Sequence, residues 1–143
     1  MAHQHYKKNN FLSAEKLYKE VLNVDPNHLQ SIILLGTLSG QTKNFNLAKQ
    51  LLRKAIKINP NYAEAYSNLG NALGELGKFQ EAIDNYRHSL KLNPKYKKPI
   101  LNESLIKLSE GKFEIGWKGY EFRFDDTDNL PRYKMGKIWN GKY

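Results

Sequence analysis

The feature that most constrains this chain of 143 residues is a set of residue types that recur every 34 positions along most of its length. Phenylalanine recurs four times at this spacing, at Phe11, Phe45, Phe79 and Phe113. A small residue follows the same spacing at Ala14, Ala48, Ala82 and Gly116, and proline does so at Pro26, Pro60 and Pro94. A fixed period of about 34 residues is typical of stacked helix–turn–helix units, which bury their apolar faces against one another instead of in one central core.

The third unit, residues 61–94, shows the pattern most completely. Apolar residues fall three and four positions apart in both of its halves, which predicts two amphipathic helices. Gly77 separates the halves, because glycine adopts a left-handed turn at little cost, and Asn93 followed by Pro94 ends the second helix. Asn61 followed by Glu64 predicts a reciprocal side-chain cap at the start of the first helix.

The first unit is incomplete at its start. Residues 2–8 predict half of a first helix, and residues 11–24 predict a second one. Asn9 and Asn10 occupy the turn position that Gly77 holds in the third unit, and asparagine tolerates the left-handed region of backbone conformation. We therefore expect a turn between these two helices as well.

The third unit matches a known repeat pattern at Leu69, Gly70, Gly77, Phe79, Ala82, Tyr86 and Pro94. With these residues it resembles the tetratricopeptide repeat, and especially the repeats of O-GlcNAc transferase and its bacterial relatives. The resemblance implies an all-α fold, a right-handed superhelix of about 3.5–4 repeats. We expect repeats at about residues 1–26, 27–60, 61–94 and 95–124, followed over residues 125–143 by a C-terminal extension or a linker toward a further domain.

The last predicted helix contains two short strings, Gly116-Trp117 and Tyr120-Glu121-Phe122-Arg123. They resemble the last repeat and connector of bacterial proteins in which tetratricopeptide repeats precede a glycosyltransferase-type catalytic domain. Lys137 departs from that pattern, since a proline usually stands two residues before the later tryptophan, here Trp139. The resemblance implies a catalytic domain beyond Tyr143.

Composition excludes several classes of function. The chain has no cysteine, so disulfides, thiolate metal sites and cysteine nucleophiles are excluded. Its net charge of +9 permits an acidic partner, but most of the basic residues are lysine, whereas base and phosphate recognition favours arginine. We therefore expect no nucleic-acid partner. No apolar run reaches the ~18 residues of a membrane span, and residues 1–10 lack the apolar core of a secretory signal, which predicts a cytoplasmic protein.

The residues offer no pattern for catalysis. A phosphate-binding glycine loop, a paired-histidine zinc motif and a nucleophile elbow are all absent from the sequence. His3 and His5 diverge on a helix because they lie two positions apart, and the acidic residues from Asp125 to Asp128 lack the glycine and glutamate of a calcium loop. We therefore expect no catalytic residue, no metal site and no cofactor. Two candidate functions remain for the chain: a peptide-binding scaffold, or the substrate-recruiting arm of a larger glycosyltransferase.

The family resemblance also implies where a ligand would bind. In tetratricopeptide arrays the first helix of each repeat lines a concave groove that holds extended peptides, and in O-GlcNAc transferase a ladder of asparagines lines it. Asn68 and Asn102 lie one repeat period apart at equivalent inward positions. A side-chain amide can donate to one peptide carbonyl and accept from one peptide N–H, so a row of asparagines can hold an extended backbone.

The predicted groove residues are Asn68, Asn102, Asn71, Glu64, Ile33, Leu34 and Thr37. Asn71 and Glu64 are expected at the edge, and Ile33 with Leu34 is expected to form an apolar pocket. Two alternatives stay open, namely that the asparagines are ordinary solvated residues and that the two apolar residues pack against the first repeat. The expected partner is a protein or peptide of unknown identity, and self-association through the terminal repeats or the tail is also open.

Overall fold

The computed structural model describes residues 2–120, with side chains described from residue 10 onward. Seven α-helices and the turns between them make up this part of the chain, which contains no strand. The helices are α1 Ala2–Val24, α2 Leu29–Gln41, α3 Phe45–Ile58, α4 Ala63–Glu75, α5 Phe79–Leu92, α6 Lys98–Ser109 and α7 Phe113–Tyr120. The predicted all-α fold is confirmed.

The helices pack chiefly with their neighbours in sequence. α2 pairs with α3, α4 with α5 and α6 with α7, and successive pairs meet where α3 packs on α4 and α5 on α6. α4 also contacts α2 and α6, so the first helices of successive pairs lie side by side. Between residues 2 and 120, no helix combines the length and the apolar character that a bilayer crossing requires.

The turns within the helix pairs share one backbone conformation. Gly77 and Gly111 have φ angles of +73° and +75°, and Lys43, at the equivalent position of the second unit, has a φ of +64°. The left-handed region suits glycine because it has no Cβ to clash with the following carbonyl group. The predicted turn at Gly77 is confirmed, and the lysine at the second turn carries the strain that glycine avoids.

The predicted turn at Asn9 and Asn10 is wrong. A single helix, α1, runs without a break from Ala2 to Val24. Asparagine in a helix interior costs at most about 0.7 kcal/mol relative to alanine, so two of them do not force a break. Tolerance of the left-handed region permits a turn but does not impose one.

The predicted cap of α4 is also wrong, whereas the predicted end of α5 is confirmed. Tyr62 is the N-cap residue of α4, and it makes no side-chain capping bond. The side chain of Glu64 accepts instead from the Tyr62 hydroxyl, at 3.4 Å. α5 ends at Leu92, and Asn93 is extended with a φ of −140°, as expected of a residue that precedes proline.

Close helix contact explains the recurring small residues. A Cβ built on Gly70 would lie 2.5 Å from a ring carbon of Tyr86 and 3.1 Å from the carbonyl oxygen of Ala82. A Cβ on Gly36 would lie 3.0 Å from Leu52. Each glycine therefore lets the second helix of its pair approach closely, and the larger side chains fill the space around the crossing.

The finer division into repeats ending at residues 26, 60, 94 and 124 stays a prediction. The expected extension over residues 125–143, with Lys137 and Trp139, lies outside the described residues. So do the last three residues of the string that begins at Tyr120, and the acidic residues after it.

Candidate functional site

The first helices of three successive pairs, α2, α4 and α6, line an open cavity of about 720 Å³. Five of the seven predicted groove residues line it, namely Thr37, Glu64, Asn68, Asn71 and Asn102. The cavity also includes the C-terminal residues of all three helices and apolar side chains from α5 and α6. The structure therefore brings the predicted polar residues together on one surface, which we call the concave groove.

The polar residues of the groove form a stripe along α4. Glu64, Asn68, Asn71 and Glu75 are spaced four, three and four positions apart, which places them on one face of the helix. The positions one repeat period later, on α6, are Lys98, Asn102, Leu105 and Ser109, and all four line the same cavity. The groove is thus built from equivalent positions of neighbouring repeats.

The two predicted asparagines connect neighbouring helices through hydrogen bonds. Asn68 Nδ2 donates to Thr37 Oγ1 at 2.9 Å, and Asn102 Nδ2 donates to Asn71 Oδ1 at 2.7 Å. Both bonds join residues 31 positions apart, one repeat minus about one helical turn. Asn71 Oδ1 also accepts from the Tyr86 hydroxyl, at 2.9 Å. We call the first two bonds the inter-repeat amide bonds, and they stabilise the stacking of the groove helices.

These bonds leave part of each amide available. A side-chain amide has two N–H donors and a carbonyl oxygen with two lone pairs. Asn68 and Asn102 each use one donor in an inter-repeat amide bond, so one N–H and the carbonyl oxygen remain. Both residues are half-buried at the groove surface. Their orientation is therefore fixed before a ligand arrives.

The predicted apolar pocket at Ile33 and Leu34 is wrong. Ile33 is only 2% exposed and packs in a buried cluster with Ile32, Ala55 and Ala65, against which Leu22 of α1 also packs. Leu34 is exposed but does not line the cavity. Consecutive helical residues point about 100° apart, so Ile33 does not share the outward direction of the adjacent Leu34 and instead fills the space between helices.

The large apolar side chains of the groove that are exposed are Phe79, the first residue of α5, and Leu105 of α6. Their exposed fractions are 40% and 47%. Neither residue was predicted to lie in the groove. Leu105 could have been predicted to line the groove, because it lies one repeat period after Asn71. Phe79 could not, because it is one of the recurring phenylalanines, and that recurrence indicates packing between helices.

Tyr86 is the most strongly perturbed titratable group beside the groove. Burial raises its pKa well above the ordinary value, and the nearby carboxylate of Glu75 adds to the rise. The phenol therefore stays protonated and remains a donor to Asn71. This is the role of a structural group, since a general base would require the ionised form.

The part of the chain with described side chains, residues 10–120, contains no cluster of three His, Asp or Glu side chains able to hold a metal ion.

Comparison with known families identifies the repeat. The tetratricopeptide repeat model matches residues 63–96, and a second TPR repeat model matches residues 41–77. Together they cover the helix pair that contains Gly77, and α3 of the pair before it. No curated protein matches the chain by sequence.

Solved structures share the fold. An O-GlcNAc transferase mutant from Thermobaculum terrenum is 31% identical, with a TM-score of 0.67 over 74% of this chain and 20% of that one. The chain thus spans about a fifth of the transferase. A crystal structure of MamA is 29% identical, with a TM-score of 0.72 over 85% of this chain and 71% of that one. MamA from Desulfovibrio magneticus RS-1, at 18% identity, has the same fold, with a TM-score of 0.75 over 87% of this chain and 72% of that one.

The family models fall on the residues that predicted the repeat, and the structures extend the likeness over most of the chain. The matched fold is the solenoid of helix pairs that the constant spacing predicted. Residues 41–96 of the chain therefore belong to tetratricopeptide repeats.

Proposed function

We propose that the chain is a protein-binding scaffold that holds an extended segment of a partner in the concave groove and has no catalytic activity of its own. The observation that carries the proposal is the pair of half-buried amides, Asn68 and Asn102, which face one open cavity from neighbouring helices. Both amides keep a donor and an acceptor for a ligand after their bonds within the protein are made.

The spacing of the two amides suits an extended backbone. Packed helices lie about 8–10 Å apart, and an extended chain advances about 3.3 Å per residue. A segment crossing from α4 to α6 would therefore meet one amide at about every third residue. Backbone recognition of this kind tolerates many sequences, so the side chains of the ligand would be selected by other parts of the groove.

The test starts from a library of random peptides displayed on phage and selected on the wild-type chain. The binding of selected peptides is then compared with the double variant Asn68→Ala and Asn102→Ala. Each hydrogen bond contributes about 0.5–1.5 kcal/mol net, so we expect affinity to fall roughly ten- to a hundredfold. A folded double variant with unchanged affinity would show that these amides do not contact the ligand.

A matched control separates contact from stability. The double variant also removes both inter-repeat amide bonds, which lowers the stability of the array. Thr37→Val keeps the shape of the side chain and removes the acceptor of the Asn68 bond, but leaves both asparagines in the groove. We expect Thr37→Val to lower stability slightly and to weaken peptide binding much less than the double variant does, because Asn68 keeps its amide and loses only one bond that orients it. An equal loss of affinity in this variant would mean that stacking, and not backbone contact, explains the effect.

A second candidate function is the substrate-recruiting arm of a glycosyltransferase. It is favoured by the identity of 31% with the O-GlcNAc transferase over 74% of this chain. The strings at Gly116-Trp117 and from Tyr120 onward support it as well. Reading the gene beyond Tyr143 tests the assignment. An α/β catalytic domain in the same frame would support the arm, and a stop codon directly after Tyr143 would exclude it.

We also propose a cytoplasmic location and no nucleic-acid partner. Two of the arginines are engaged within the protein, since Arg53 pairs with Glu81 at 3.3 Å and Arg87 with Glu103 at 2.9 Å. Cell fractionation tests the location, and gel-shift titration with double-stranded DNA at physiological salt tests the partner class. Self-association through the ends of the array stays a prediction, which sedimentation of the purified chain would check.

A further inference from the structure

We propose that the concave groove contains a subsite for a basic side chain of the bound peptide, arginine or lysine, formed by Glu75, Phe79 and Leu105. The inference rests on the proposed function and specifies the class of ligand. The three residues come from α4, α5 and α6, and all three line the same cavity. We call them the basic-residue subsite.

The carboxylate of Glu75 has no partner within the part of the chain that the structure describes. Glu81 and Glu110, by contrast, are paired within the protein: Glu81 meets Arg53 and Lys78, and Glu110 meets two lysines. Glu75 forms neither an ion pair nor a hydrogen bond there, although the chain carries a net charge of +9. A negative group left unpaired in so basic a protein is available to a cation from outside.

The position of Glu75 in its helix increases the attraction for a cation. Glu75 is the last residue of α4, and the last turn of this helix contains no basic residue. The C-terminal end of a helix carries a partial negative charge from its unpaired carbonyl groups, so a carboxylate there is unfavourable and a cation is favourable. A basic ligand side chain would relieve this unfavourable arrangement.

The other charged residues of the cavity lie elsewhere in the groove. Glu64 and Lys98 occupy equivalent positions in the first turns of α4 and α6, so their opposite charges offset each other. Lys43 lies at the same end of the groove as Glu75, but it follows α2, the helix on the other side of α4 from α6. Where α4 ends next to α6, Glu75 is therefore the charge that a ligand meets.

The two apolar residues fit the stem of the same ligand side chain. Lysine and arginine have three or four methylene groups that pack on apolar surface while the charged end stays near water. Phe79 and Leu105 are 40% and 47% exposed and offer such a surface. The ring of Phe79 can also attract the cation through its face, and a guanidinium can bind the carboxylate with two hydrogen bonds.

The experiment uses the same displayed library and the full chain. We expect selected peptides to share an arginine or lysine at one aligned position, and Glu75→Gln to weaken their binding about two- to fivefold. Glu114→Gln is the matched control, because Glu114 is exposed on α7 outside the cavity, and it should leave binding unchanged. Replacing the shared basic residue of the peptide by glutamine should remove the difference between the wild type and Glu75→Gln.

The outcomes separate the subsite from the proposed function. Selected peptides that depend on Asn68 and Asn102 but are indifferent to Glu75→Gln would overturn the subsite and leave the scaffold intact. Failure to select any peptide that binds the folded chain would overturn both. Equal weakening by Glu75→Gln and Glu114→Gln would also overturn the subsite, because general charge and not the groove would then explain the attraction.

Discussion

Replacing Gly70 by alanine tests the close contact between α4 and α5. The new Cβ would lie 2.5 Å and 2.7 Å from two ring carbons of Tyr86, and 3.1 Å from the carbonyl oxygen of Ala82. Tyr86 is 3% exposed and its hydroxyl donates to Asn71, so its ring cannot move without losing that bond. Gly70→Ala must therefore displace buried groups.

The expected magnitude follows from three terms. Overpacking of a core costs about 1–3 kcal/mol, and loss of the Tyr86 hydrogen bond adds about 1 kcal/mol. Alanine in place of glycine in a helix interior stabilises the folded state by about 1 kcal/mol. We expect Gly70→Ala to lower the free energy of unfolding by about 2 kcal/mol, measured by urea denaturation followed by circular dichroism.

Gly74→Ala provides the matched control on the same helix. A Cβ at Gly74 would lie 3.8 Å from Ile106 and 3.9 Å from both Ala82 and Tyr86, which are ordinary contact distances. We expect this variant to be as stable as the wild type or more stable by up to about 1 kcal/mol. If Gly70→Ala proved as stable as Gly74→Ala, the small size of residue 70 would not be what allows α4 and α5 to pack closely.

Two further predictions concern Lys43 and Tyr86. Lys43→Gly should raise the free energy of unfolding by up to about 1 kcal/mol, and with it the urea midpoint, because glycine adopts the positive φ without strain. Gly77→Lys should lower the urea midpoint for the opposite reason. Because burial raises the pKa of Tyr86 above its ordinary value of 10.0, its contribution to stability is complete below that pH and is lost as the pH rises toward the folded-state pKa. Urea midpoints measured from about pH 9 to 11 should therefore fall less in Tyr86→Phe than in the wild type. An equal fall would contradict this assignment.

The features that the sequence predicted correctly depend on local geometry. The constant spacing and the three-and-four pattern within it predicted helix pairs, because helical periodicity is visible in each segment alone. The turn at Gly77 was predictable because glycine adopts the left-handed region at little cost. The end of α5 before Pro94 was predictable for a similar reason, because proline disfavours helical backbone angles at the residue before it.

The features that were missed depend on neighbours distant in sequence. Asn68 finds its partner 31 residues earlier, so whether its amide is free could not be read from its own helix. Ile33 was assigned to the groove together with Leu34 because the family's first helices face the groove there, but a difference of one position turns a helical side chain from the surface into the core. The sequence around Asn9 could not show that α1 continues there, because asparagine is compatible with both a turn and a helix.

Site-specific photo-crosslinking tests most directly whether the concave groove is the binding surface. A benzophenone amino acid is placed at Gln41, which is exposed and lines the groove, or at Gln50, which is exposed on α3 outside it. A peptide selected from the displayed library is irradiated with each variant, and the crosslinked product is measured by mass spectrometry. We expect crosslinking from Gln41 and only background from Gln50, whereas crosslinking from Gln50 with background at Gln41 would place the ligand on another face and contradict the proposed function.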